Sequence, residues 1–332
     1  MIIRALLFTA LSALAHAETH RIVAERYYRT FSHQNPVLKR INPGDVVVTK
    51  TVDSGGQDDK DVKRHPDPGN PLTGPFYIEG AQPGDAIRVR FQKMRLNRNW
   101  GYSGFRLGVF SLTPEYVENL YSPNYKPDLA IRGRSNLVRW ELDLARNVAT
   151  LRDPASAHVK LEFPAKPMLG CVGVAAPGDF APTSGPAGSY GGNLDYNAVG
   201  EGATVILPVY HPGALLFIGD GHALQGDGEA TGNGIETSMD VQFSVEVRKN
   251  AKLTGPRLET ADHLISLGAQ PEFVSSLDRA LQMATTDMAH WLIDEYKLEP
   301  WAAHVLISFQ GKYEVVTVAG TMALKIPKSA LR

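Results

Sequence analysis

From Val46 onward, short apolar-rich runs alternate with turn-forming clusters, and within the runs the apolar positions recur every second residue or sit on β-branched side chains. Val46-Val47-Val48-Thr49, Ala86 to Phe91, Trp140 to Leu144 and Val159 to Phe163 read as strands. Two of them follow matching turns, Asn42-Pro43-Gly44-Asp45 and Gln82-Pro83-Gly84-Asp85, in which Pro presets φ and Gly accepts a positive φ. The second half continues with Thr204 to Val209, Ala214 to Ile218 and Met239 to Val247, the last placing Val241, Phe243, Val245 and Val247 on one face. A period near 3.6 appears only toward the C-terminus. There Leu277, Leu281, Ala284, Met288, Trp291 and Leu292 form a stripe between Ser275/Ser276 and Tyr296, leaving Asp287, His290 and Asp294 to a solvated face. A shorter helix over Pro300 to Ser308 is expected to pack through Trp301, Val305 and Leu306. The pattern predicts a mainly β protein, a β-sandwich-like assembly with a short C-terminal α+β portion. The expected organisation is an N-terminal β-rich half (18–165) and a C-terminal β-rich half with the late helix (166–332). No G-x-G-x-x-G strand-to-helix fingerprint, P-loop or G-x-S-x-G elbow occurs.

Composition narrows the chemistry. With 34 Lys+Arg against 35 Asp+Glu, the formal net charge of −1 offers no basic field for nucleic acid. The single cysteine, Cys171, excludes an intrachain disulfide and any Cys-rich zinc module, so a metal must be held by carboxylates, imidazoles or carbonyls. Cys171 sits in an apolar stretch, as buried structural cysteines do. The first 17 residues read as a secretory signal peptide: Arg4, an apolar stretch from Ala5 to Leu14, and small residues in Ala15-His16-Ala17. Cleavage after Ala17 would make the protein periplasmic or secreted, and the apolar run falls short of the ~20 residues that span a bilayer.

Candidate chemistry concentrates between Ser189 and Glu236. Acidic residues and a histidine alternate there with glycines, in Gly191-Gly192-Asn193-Leu194-Asp195, Gly219-Asp220-Gly221-His222-Ala223 and Gln225-Gly226-Asp227-Gly228-Glu229. Asp220 and His222 are two apart, so on an extended segment they point to one side, a spacing that suits a shared metal. Asp, Glu and His together fit Zn2+, Mn2+ or Fe2+; an all-oxygen subset would suit Ca2+.

The same segments, with Asn70-Pro71-Leu72-Thr73-Gly74-Pro75-Phe76-Tyr77-Ile78-Glu79-Gly80, Pro83-Gly84-Asp85, Cys171 to Pro177, Leu207-Pro208-Val209, Ile235-Glu236 and Ile326-Pro327-Lys328, resemble the acetamidase/formamidase family. Residues 92–160 carry none of these motifs. The resemblance implies hydrolysis of the C–N bond of a small uncharged amide or small lactam, on a mainly β fold that forms homo-oligomers, dimers or larger. It also implies a divalent metal, most often zinc. Asp53 with Gly56-Gln57 matches an Asp and Gly-Gln pair that the family carries before its Asn-Pro-x-Thr-Gly-Pro motif.

Joined to the residue chemistry, this gives Asp53, Asp220 and His222 as metal ligands, Asp195 as a further ligand or catalytic carboxylate, and Glu79 as a ligand or its neighbour. The metal would polarise the carbonyl and activate a water. Glu229 becomes the general acid/base, and Asn193 with the Gly191 and Gly192 amides faces the oxyanion. Two other readings stand beside it: a non-catalytic exported binding protein with structural Ca2+, and a thiol amidase using Cys171.

Overall fold

The computed structural model describes residues 17–67, 69–116, 137–251, 253–270 and 276–331. Residues 1–16, which hold most of the expected signal peptide, and the helix-flanking Ser275 lie outside them. Period-two segments form two sheets. The first has nine strands in the order β1 (Thr19–Arg21), β3 (Val46–Thr51), β16 (Met239–Arg248), β5 (Ala86–Leu96), β13 (Thr204–Pro208), β17 (Arg257–Glu259), β18 (His263–Gly268), β20 (Thr321–Pro327) and β19 (Lys312–Thr317). The second runs β11 (Ala187–Gly188), β12 (Gly191–Asn193), β10 (Met168–Val174), β14 (Leu216–His222), β15 (Glu236–Thr237), β6 (Trp100–Gly104), β7 (Leu137–Asp143), β8 (Val148–Asp153) and β9 (Glu162–Pro164). To it are added β4 (Leu72–Ile78), paired with β14, and β2 (Lys39–Ile41), paired with β4. Both sheets mix strands from before and after residue 165.

The alternation read from the sequence sets which faces meet. In β16, Val241, Phe243 and Val245 are buried while Gln242 and Ser244 are not, and Phe243 stands opposite Val47 of β3 and Phe91 of β5. Its ring meets Phe76 of the second sheet edge-on at 5.3 Å, so the main core lies between the sheets. β10 and β14 are buried at every position, which marks them as the inner strands on which neighbours assemble. One edge of β14 pairs with β10 throughout. The other pairs with β4 up to Gly219 and with β15 from Gly221, so β14 changes partner at Asp220.

Both Pro-Gly-Asp turns are anchors. Asp45 accepts from the amides of Asn42 (2.8 Å) and Glu18 (2.9 Å), and Asp85 from those of Gln82 (2.9 Å) and Asn250 (3.0 Å). Each aspartate closes its own turn and ties it to a distant segment. Some local expectations shift. The strand placed at Val159 begins at Glu162, leaving Val159 exposed. Ala214 and Leu215 precede β14 in left-handed conformations.

The first helix, α1 (Leu277–Asp294), is capped by Ser276, whose side chain accepts from the Arg279 amide, and buries Ala284, Met288, Trp291 and Leu292. Leu281, however, faces solvent, and Asp287 is buried. Arg257, rising from β17 beneath the helix, holds Asp287 through two hydrogen bonds of 2.8 and 3.0 Å, so the buried face includes an ion pair that hydrophobic periodicity cannot register. In α2 (Pro300–Gln310) the inward residues are the smaller Ala303 and Ile307, and Trp301 (68% exposed) and Val305 point outward.

The Asp85 carboxyl yields a prediction. Burial alone would raise its pKa, but Lys249 and the Asn250 and Gln82 amides outweigh this and hold it below the usual 3.8. Its stabilising contribution is therefore present above the unfolded pKa and lost as pH falls through the folded one. Asp85→Asn should cost about 1 kcal/mol at pH 7, with the deficit closing below pH 3.8, as read from urea midpoints at both pH values.

Candidate functional site

The change of partner along β14 creates the site. At the end of that strand His222 faces Glu236 of β15 across the ladder, and its Nε2 lies 3.1 Å from Glu236 Oε1 and 3.5 Å from Asp220 Oδ1. Asp195 arrives from the loop after β12, where the amides of Leu194 and Asp195 both donate to the Gly170 carbonyl of β10 at 2.8 and 3.2 Å. One ligand atom from each of Asp195, Asp220 and His222 falls within 4.8 Å of the others, and the same holds for His222, Glu229 and Glu236. The two sets share the imidazole. Glu229 is half-buried and the rest are buried.

Such crowding depends on missing side chains and on unusual backbone. A Cβ built on Gly170 would stand 2.4 Å from Asp195 Oδ1 and 2.6 Å from Asp220 Oδ2, and one on Gly234 would stand 2.5 Å from the His222 ring. Asn70, Asp195, Asp220 and Glu229 all have positive φ, between 45° and 56°. That conformation is strained by roughly 1–3 kcal/mol for non-glycine residues, least for Asn and Asp. At Asp220 it falls at the partner switch itself.

A polar frame holds the carboxylates. Asn70 Nδ2 donates to Asp220 Oδ2 (3.0 Å) and Asn193 Oδ1 (3.2 Å), and Asn193 Nδ2 donates to Asp195 Oδ2. Cys171 Sγ donates to Asn193 Oδ1 at 2.9 Å. Burial and the charges of Asp220 and Asp195 push the Cys171 thiol well up, the opposite of what a nucleophilic thiolate needs. Burial, reinforced by Glu229 and Asp220, pushes Asp195 well above the usual carboxylate range. Burial, opposed by His222 and reinforced by Glu236 and Asp220, lifts Glu229 to about 8. Burial likewise lifts Glu236 to about 7, again opposed by His222 and reinforced by Asp220. For His222 burial would lower the pKa, but Glu236 and Asp220 outweigh it and raise it. Within this frame Asp195 Oδ1, Asp220 Oδ1, His222 Nε2 and Glu236 Oε2 are buried with no hydrogen-bond partner. Four unpartnered donor atoms of these types fit a divalent cation.

The expected residues separate into three groups. Asp195, Asp220, His222 and Glu229 are brought together, with Asn193 beside them. The Asn193 side-chain amide is engaged by Asp195, so its place is in the frame rather than facing an oxyanion. Asp53 is buried but carries its own cation: Arg98 Nη2 lies 2.6 Å from its Oδ2, and the Gln57 amide donates to Oδ1. Neither it nor Glu79 belongs to the converging groups. Glu79 lies beyond the end of β4, half-buried and paired with Arg40 at 2.6 Å, which removes it from the ligand set. Sequence reasoning gave no role to Glu236, Asn70 or Gln225. Gln225 sits inside a Gly- and Asp-rich motif, Glu236 in the Ile235-Glu236 pair that follows it, and Asn70 opens another motif, but only contacts across the fold show where they point.

The sequence profile of the acetamidase/formamidase family matches residues 17–122 and 130–286, including much of the stretch without recognisable motifs. The chain is 27% identical over 256 residues to a Schizosaccharomyces pombe protein whose name places it among formamidases, covering 65% of this chain and 62% of that one. The matched stretch thus spans less than two thirds of that relative. Among solved structures, an acetamidase from Yersinia enterocolitica superposes with a TM-score of 0.76 at 27% identity, covering 97% of this chain and 96% of that one. An acetamidase from Bacillus halodurans gives 0.75 at 26%, covering 93% and 97%.

Two outcomes are expected from the geometry. Gly170→Ala should fold, since only the ends of two side chains obstruct the new methyl, but should bind divalent cations at least about tenfold more weakly in a chelator competition. In cation-free protein, Glu229, Glu236 and His222 all bind protons more tightly folded than unfolded. Stability should therefore fall as pH rises from about 4.5 through about 8, and Glu236→Gln should flatten that melting profile.

Proposed function

The chain belongs to the acetamidase/formamidase family, and on that premise we propose that it hydrolyses the C–N bond of a small uncharged amide at the Asp195, Asp220, His222 and Glu236 cluster. The observation that carries this reading is the set of four buried, unpartnered donor atoms in two ligand groups, one of Asp195, Asp220 and His222 and one of His222, Glu229 and Glu236, that share one imidazole. Asp195, Asp220 and His222 would hold a divalent cation, with Glu236 completing the set. An imidazole nitrogen at its centre favours a borderline ion such as Zn2+ over Ca2+. When bound, the ion supplies polarisation of the amide carbonyl and a lowered pKa for water.

The protein's own groups do the rest. Amide nitrogen is a poor leaving group unless protonated, so a proton carrier is needed beside the bond that breaks. Glu229 suits that role, because it is the member of the cluster nearest solvent and, with its pKa lifted to about 8, it exchanges a proton near neutral pH. Its ionised form takes the proton from the attacking water and, once protonated, delivers it to the departing nitrogen, giving carboxylate and ammonia or amine. Asn70 and Asn193 keep Asp220 and Asp195 from swinging apart. The near-neutral chain suits an uncharged substrate that needs no steering field. Export and self-association belong to the same reading and rest on residues 1–17 and on the family.

Purified protein should release ammonia from formamide, acetamide or another small amide, lose that activity to a chelator and regain it with Zn2+. His222→Ala should cost at least about a hundredfold in kcat/KM with an unchanged far-UV spectrum. Full turnover in protein shown by elemental analysis to be metal-free would overturn the metal part of the reading. Inactivity on a broad amide panel would overturn the whole.

A further inference from the structure

Gln225 makes two contacts that no other side chain in the cluster combines. It is buried, three residues beyond His222 in the turn that leaves β14. Its Nε2 lies 2.5 Å from the backbone carbonyl of Asp195, and its Oε1 lies 2.7 Å from His222 Nδ1. A carbonyl oxygen only accepts, so the Gln225 amino group must face Asp195. The oxygen is then left for the imidazole, and Nδ1 must be the nitrogen that donates. The neutral ring is thereby held as the Nδ1–H tautomer, with the Nε2 lone pair turned toward Asp220 and Glu236. The same amide pulls on the backbone of Asp195, whose φ of 45° needs an external hold.

We infer that Gln225 is a positioning residue that fixes both the tautomer of His222 and the backbone of Asp195, so that two of the four candidate ligands are aimed by one side-chain amide. This rests on the cation-site reading above. Hydrogen bonds to the remote nitrogen of a ligating imidazole typically change metal affinity by about 10–100-fold. A Gln reaching two chain segments can also be taken apart by substitution. Glu at this position keeps an acceptor for Nδ1–H but cannot donate to the Asp195 carbonyl. Leu keeps neither contact. Asn is still polar and foldable but a methylene too short to span both.

The test uses the metals alone. Zn2+ affinity is measured by competition with a chromophoric chelator, and Co2+ is substituted to read the visible ligand-field bands, which report coordination independently of turnover. Wild-type protein is expected to bind both ions. Gln225→Leu should weaken Zn2+ by about 10–100-fold and alter the Co2+ bands, while Gln225→Glu, which keeps the Nδ1–H acceptor and loses the hold on Asp195, should recover part of the affinity. Should Gln225→Leu not fold, Gln225→Asn is expected to show the same loss. Unchanged affinity and spectra in Leu and Asn variants, or equal weakening in Leu and Glu, would overturn the role of Gln225 and leave the cation site standing. Failure of the wild type to bind either ion would overturn the cation reading and this role with it.

Discussion

Asp195, Asp220 and Glu236 are acids confined with one imidazole where water is excluded, and like charges in such surroundings repel far more than in solvent. Left to relax, they would separate or take up protons. Much of the local architecture prevents separation. β14 is locked to β10 along its length, Gly170 removes the methyl that would wedge two carboxylates apart, and Asn70, Asn193 and Gln225 brace the acids and the ring from outside. The left-handed backbone at four of these positions is a further cost, and burial of β10 and β14 on both faces supplies the rigidity to hold it. The repulsion that remains is one that protons or a divalent cation would relieve.

Other buried acids of this chain show the contrast. Asp53 has Arg98, Asp287 has Arg257, and Asp45 and Asp85 have backbone amides and a basic side chain. Each lies within ion-pair distance of a basic side chain and is therefore structural. Burial alone does not distinguish a reactive acid from an inert one; the partner does. By this criterion the cluster around His222 differs from those four, since its unpaired atoms face one another rather than a fixed cation.

Much of the fold was legible because period two and period 3.6 are local properties. The strands at Val46, Ala86, Thr204 and Met239 and the helix near Leu277 follow from them, as do the Pro-Gly-Asp turns. The errors share a cause. Asp287 looked solvated because Arg257 is 30 residues away in sequence, and Trp301 looked buried because a large apolar side chain says nothing about which face of a helix meets the sheet. Glu79 and Asp53 were drawn toward the site by motif proximity, and in space each is claimed by an arginine.

The sequence by itself determined the alternation that builds the sheets, the family to which the chain is related, and a segment from Asn193 to Glu229 holding several of the right residue types. Those are consequences of composition and short spacing. Which acids are left without a partner was decided only by tertiary structure. Asp220 meets Asn70 across 150 residues, Glu236 reaches His222 through a strand pair, and Gln225 touches Asp195 across 30. A carboxylate's chemistry depends on what lies within a few ångströms of it, and along a chain that folds into interleaved sheets those neighbours are rarely its neighbours in sequence.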